Sequence, residues 1–232
     1  YTWSTGGMAM NMINMVGDGN GYVGNLNLKP EVANTLSATA DWHDAKQESW
    51  GVKVTPYYTY VQDYINAERC SGAATGVCTS ANLTSTGFVF LRYINQDAHL
   101  YGMDISGHFP LAKNTGYGSF TATGMVNYVR GETRSGTDDD LYNMMPLNAK
   151  LAVVQRTGNW TNTVEGQFVA AKDSVSQIRN ELETAGYSLM HLRSSYEWKQ
   201  ARFDVGVENV FDRLYDNPLG GAYVGQGTTM PP

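Results

Sequence analysis

Long hydrophobic runs are missing from this chain of 232 residues. No stretch approaches the roughly 20 apolar residues that an α-helix needs to cross a bilayer, so these residues hold no candidate transmembrane helix. The mean hydropathy of −0.36 would pass a sliding-window scan as soluble. Basic residues are also scarce: 16 Lys and Arg stand against 22 Asp and Glu, for a net charge of −6. They form no patch, which excludes a nucleic-acid partner. Cysteine is limited to two residues. A signal peptide is lacking too. The chain opens Tyr1-Thr2-Trp3-Ser4 as if inside a loop, and so reads as a fragment of an exported protein.

What the chain does have is alternation. Apolar and polar residues exchange places with period two through segments at 33–42, 50–62, 88–109, 117–130, 147–156, 160–171, 187–198 and 201–211. Side chains alternate across a strand, so Leu36, Ala38, Ala40 and Trp42 share one face while Thr35, Ser37, Thr39 and Asp41 share the other. Val52, Val54, Pro56, Tyr58 and Tyr60 repeat the pattern, as do Phe203, Val205 and Val207 opposite Arg202, Asp204 and Glu208. A soluble antiparallel sandwich alternates as well. The connections separate the two cases. Those at 43–49, 110–116, 158–159 and 199–200 are compact, while those at 63–87, 131–146, 172–186 and from 212 onward are mostly long and fall at the opposite end of every hairpin. Trp42, Trp50, Trp160, Tyr196, Trp198 and Phe211 stand near segment ends, where interfacial girdles lie. The expectation is an all-β chain, a transmembrane antiparallel β-barrel of about eight strands. Polar lumen-facing positions dilute its hydropathy. The Gly-rich stretch 220–227 and Pro231-Pro232 make a poor closing strand, so residues 1–232 read as part of a barrel domain whose closing strand is missing.

Cys70 and Cys78 fall within one long loop and read as a disulfide. Closing so short a loop contributes roughly 2.5 kcal/mol by chain entropy, and the bond implies an oxidising compartment. The spacing is not that of a Cys-x-x-Cys zinc pair, and no histidine is near.

Three short motifs carry a family resemblance. Leu28-Lys29-Pro30-Glu31 enters a strand, Tyr101-Gly102-Met103-Asp104-Ile105 lies within one, and Val207-Glu208-Asn209-Val210-Phe211-Asp212-Arg213-Leu214-Tyr215 runs off the end of the last. In that order they resemble the elements of TonB-dependent outer-membrane receptors. The resemblance implies a 22-stranded barrel filled by a plug domain that is absent from this stretch. It also implies the bacterial outer membrane, contact with lipid, and coupling to the TonB-ExbB-ExbD complex through the plug region. Residues 1–31 and 218–230 look similar to the copper-type branch, although that branch's Cys-x-x-x-Met and His-x-Met ligand patterns are not found here.

The cargo lead is Met8, Met10, Met12 and Met15. Thioethers are soft ligands suited to Cu(I); equally, methionines fill irregular gaps where a loop packs on a barrel mouth. No cofactor is required, and copper would be cargo. The expected function is import of a metal or metal complex, copper favoured, with siderophore-bound iron second and a passive porin as the rival of another class. Enzymatic activity is not expected. Ser106 and His108 share a face beside a turn with Asp104 as the candidate orienting group, while His191 and Ser195 lie four apart, roughly 13 Å along a strand. His99 and Met103 share a face with Tyr101 and Ile105, expected to meet lipid. His191 should point into the lumen with Arg193 and Glu197, and His43 and His108 should be exposed near turns. Asp138, Asp139 and Asp140 offer hard carboxylate oxygens in a long loop, and Gly17-Asp18-Gly19-Asn20-Gly21 is an incomplete calcium-type loop.

Overall fold

The computed structural model describes residues 20–46, 49–69, 89–134, 140–179 and 181–220. Within them the chain forms β1 (Asn20–Val23), β2 (Val32–Ser37), β3 (Ala40–His43), β4 (Gly51–Arg69), β5 (Val89–Thr115), β6 (Gly118–Thr133), β7 (Asn148–Thr157), β8 (Trp160–Val169), β9 (Tyr187–Trp198) and β10 (Ala201–Val207). They make one sheet in the order β10-β9-β8-β7-β6-β5-β4-β2, with β3 also on β4. Apart from the parallel β1–β5 pair, every pairing is antiparallel. Sequential neighbours joined by hairpins are how an up-and-down barrel wall is built.

The register fixes which residues share a face. Phe203 pairs with Tyr196 and Tyr196 with Trp160. Val164 pairs with Val153, Val153 with Ala122 and Ala122 with Phe109. Ile105 pairs with Val54, and Val54 with Ala40. One continuous apolar surface results, and its large side chains are open: Leu36 is 77% exposed, Phe203 59% and Leu151 54%. An apolar face of this extent belongs against lipid. The opposite face is polar, with Lys53 reaching Asp41 at 3.6 Å, Arg202 reaching Asp204 at 2.9 Å and Asn127 donating to Asp104 at 2.7 Å.

Several boundaries differ from the alternation pattern, each for a local reason. The segment expected at 33–42 is interrupted between Ser37 and Ala40. Ala38 N–H still donates to the Pro56 carbonyl at 3.2 Å, but Pro56 has no N–H to return, so the ladder lapses there. β4 continues past Gln62 to Arg69 through a bulge between Val61 and Tyr64, where Asp63 sits at φ 53°. The extra residue flips the alternation and hides the continuation from a period-two reading. β5 likewise runs on through the expected turn at 110–116, with register shifts at Pro110 and Ala112, and reverses only at Gly116-Tyr117. At 27 residues it extends roughly 90 Å, far more than a bilayer needs, so the wall rises well beyond the membrane. β10 stops at Val207 rather than Phe211. Asn209 and Asp212 both take φ 48°, and the Asn209 side chain accepts from Arg213 N–H at 3.0 Å and donates to the Arg213 carbonyl at 2.9 Å, cinching a turn.

Candidate functional site: the loop end of the wall

The described parts of the long connections lie at one end, and the tightest packing of the described residues is there. Leu91, Ala98 and Leu141 are fully buried, and Val169, Tyr187 and Leu189 form a cluster with Met145 and Tyr215 against it. Tyr187 and Tyr215 meet with ring centroids 4.3 Å apart. Leu141 N–H donates to the Gly131 carbonyl at 2.9 Å, and a Cβ on Gly131 would come within 2.6 Å of a Leu141 methyl, so glycine permits this loop to lie against β6.

A buried ion pair ties the loops together. Lys172, whose side chain is 2% exposed, reaches Glu181 at 2.5 Å and donates to the Pro218 carbonyl at 2.9 Å. Glu181 also accepts Asn143 N–H at 2.9 Å and Ser176 N–H at 2.8 Å. The loops after β6, β8 and β10 thus share one charge pair. A buried carboxylate and ammonium persist only when their remaining valences are satisfied in this way. The loop after β8 then reaches β4. Arg69 donates to the carbonyls of Gln177 at 2.6 Å and Ile178 at 3.1 Å, Arg179 lies 4.7 Å over the Tyr142 ring, and it approaches Asn66 at 3.4 Å.

Farther along the rim, His99 lies stacked between Tyr58 and Tyr101 and pairs with Glu132 at 3.3 Å. Arg130 joins Glu132 at 2.8 Å to Asp140 at 3.2 Å. His99 and Met103 do share the outward face, but His99 belongs to this polar rim rather than to the hydrocarbon belt. Asp140 is engaged by Arg130 rather than offered to a cation. Asp97 accepts from the Tyr60 hydroxyl at 2.6 Å and from Asp63 N–H at 3.3 Å. Between β6 and the two loops beside it lies a cavity of about 180 Å³, lined by Arg130, Leu141, Met144, Met145 and Lys172 among others.

The lumen face keeps its own network. Arg193 bridges Glu165 at 3.3 Å and Glu208 at 3.6 Å, and His191 is buried beside them with Nδ1 accepting Asn209 N–H at 3.3 Å. His43 and His108 are exposed, as expected, but register brings them to either side of Gly51, a proximity that residues 65 apart in sequence do not announce. Asp104 accepts from Asn127. Among the described residues no three His, Cys, Asp or Glu side chains converge on a point that could hold a metal. Met8, Met10, Met12, Met15, Cys70, Cys78, Asp138 and Asp139 lie outside the described residues.

The family "TonB dependent receptor-like, beta-barrel" matches residues 1–210. Heme/hemopexin utilization protein C of Haemophilus influenzae is 27% identical over 209 residues, covering 84% of this chain and 28% of that protein. The chain therefore spans under a third of that relative's length. Of solved structures, the copper transporter OprC superposes with a TM-score of 0.69 at 19% identity, over 88% of this chain and 30% of that one. The FrpB iron transporter from Neisseria meningitidis gives 0.60 at 12% identity, over 91% and 31%. At these identities the likeness is one of fold.

Proposed function

Because this chain belongs to the TonB-dependent receptor β-barrel family, we propose that the whole protein imports a metal or metal complex, copper favoured, across the bacterial outer membrane in which the barrel resides. The observation that carries the copper reading is the run Met8, Met10, Met12, Met15, four soft thioethers within eight residues. Energy would reach the barrel from the TonB-ExbB-ExbD complex through a plug domain. The loop end described above would be the exterior receiving surface, and catalysis has no part in the proposal.

Iron held by a siderophore or as heme is the second reading, supported by the likeness to the heme/hemopexin utilization protein of Haemophilus influenzae and to the fold of the FrpB iron transporter. Elemental mass spectrometry of the intact receptor, purified after growth with trace copper, tests the first. Stoichiometric copper that is lost on replacing the four methionines by alanine would establish an exterior methionine site. Copper retained by that variant would move the ligands elsewhere in the protein. Copper absent altogether, with a saturable Soret band on titration with heme or quenching by a ferric siderophore, would replace copper with iron. Uptake that persists in cells lacking TonB would point instead to a passive pore.

A further inference from the structure

The outward face ends, at the loop side, in a groove of about 440 Å³ lined by Leu147, Ala149, Phe168, Tyr187, Ser188 and Arg213. Leu147 and Phe168 are open to the surroundings, 46% and 45% exposed. Ser188 pairs directly with Phe168 in the β8–β9 ladder, which puts it on the same outward face as Leu192 and Val164. The groove is thus the upper end of the apolar belt rather than part of the lumen.

Its height is set by the strand. From Trp160, beside the short turn, to Phe168 the strand climbs roughly 26 Å, or about 20 Å vertically at a tilt of about 40°. The apolar band of an outer-membrane barrel is about 25 Å tall, so the groove lies at the outer boundary, where acyl chains meet headgroups.

Arg213 supplies the second observation. Its backbone is clamped by the Asn209 side chain, and its guanidinium extends to the Ser188 hydroxyl at 3.3 Å. Among the described residues it makes no ion pair with a carboxylate, as Arg156 makes none, whereas Arg92, Arg130, Arg193 and Arg202 each make one. A guanidinium at headgroup height, above an apolar groove, complements an anionic amphiphile, and its planar fork suits phosphate oxygens.

We propose that this groove seats an acyl chain of an outer-leaflet lipid whose phosphate is held by Arg213. The inference depends on the orientation of the wall in the membrane and not on which cargo the receptor carries. Native mass spectrometry of the full-length receptor, released from detergent containing either phosphatidylglycerol or phosphatidylcholine, reads it out. Wild-type protein should retain phosphatidylglycerol about fivefold more than phosphatidylcholine, the size of one basic residue's attraction to an anionic surface. R213Q should bring that ratio toward one while R213K keeps most of it. Phe168→Ser should weaken retention of both lipids alike. Excess inorganic phosphate should leave the lipid bound; displacement by phosphate would mean that Arg213 reads a free anion and would overturn the lipid assignment. An unchanged ratio in R213Q would overturn it equally.

Discussion

The two ends of this wall are built on different principles. At the short-turn end, strands reverse in a few residues and side chains point outward: Trp42, Trp160, Trp198, Phe109 and Tyr117 are all open, with Tyr117 78% exposed. Trp160 meets Tyr196 at a tilt, ring centroids 4.7 Å apart, and is still 47% exposed. Order there comes from the backbone ladder and from lipid, whose headgroups suit amphipathic rings. At the loop end, side chains bury one another as in a soluble domain, around Leu91, Leu141 and the Lys172–Glu181 pair. The hydrocarbon supplies a solvent to one end that the other has to replace with its own packing.

Breaking the charge pair should therefore separate the ends most clearly. K172M leaves Glu181 buried without its cation, a loss of about 3–5 kcal/mol for a pair of this kind. Hydrogen exchange on the full-length receptor should rise in 140–146, 172–186 and 213–220 while β7 and β8 stay protected. Equal loosening of β7 and β8 would refute the division. A second substitution at the opposite end sharpens it. Gly118 takes φ +95° and a Cβ there would lie 2.1 Å from the Arg156 carbonyl oxygen, which is backbone and cannot swing aside. G118A should cost about 1–3 kcal/mol from conformation alone, raising exchange in 112–121 and leaving the Lys172 loops unaffected.

How far the sequence foretold this wall follows from the same contrast. Where residues alternate against lipid, the pattern is local, and β6 to β9 lie where period two puts them. Bulges defeat it: Asp63 flips the phase of β4, and the outward face beyond it belongs to the other set of residues. The Asn209 motif is readable as a resemblance, but its physical work, a side chain gripping both backbone groups of Arg213, belongs to the folded turn. The loop-end site was the least legible. Lys172, Glu181, Asn143 and Pro218 carry no spacing signal, since what joins them is the stacking of three hairpin ends. Soft-ligand and disulfide chemistry shows in composition, as at Met8 to Met15 and at Cys70 and Cys78, whereas a buried ion pair looks like any Lys and Glu.

The mildest test concerns a turn with almost no burial to lean on. The Asp44 carboxylate accepts Ser49 N–H at 2.9 Å and Trp50 N–H at 3.2 Å, closing the turn from β3 to β4. The Ser49 hydrogen bond does most to hold its carboxyl below the ordinary range, against a smaller opposing effect of desolvation. A depressed folded-state pKa means that the carboxylate's contribution is fully present above the ordinary Asp range and is lost as pH falls through the still lower folded value. Amide exchange at Ser49, corrected for its intrinsic pH dependence, should therefore stay slow through mildly acidic pH and accelerate only below that range. D44N, which cannot ionise, should show no such step. Because the carboxylate grips only the backbone of its own turn, the acceleration should stay confined to that turn, with no matching step in the amides of the β7–β8 ladder.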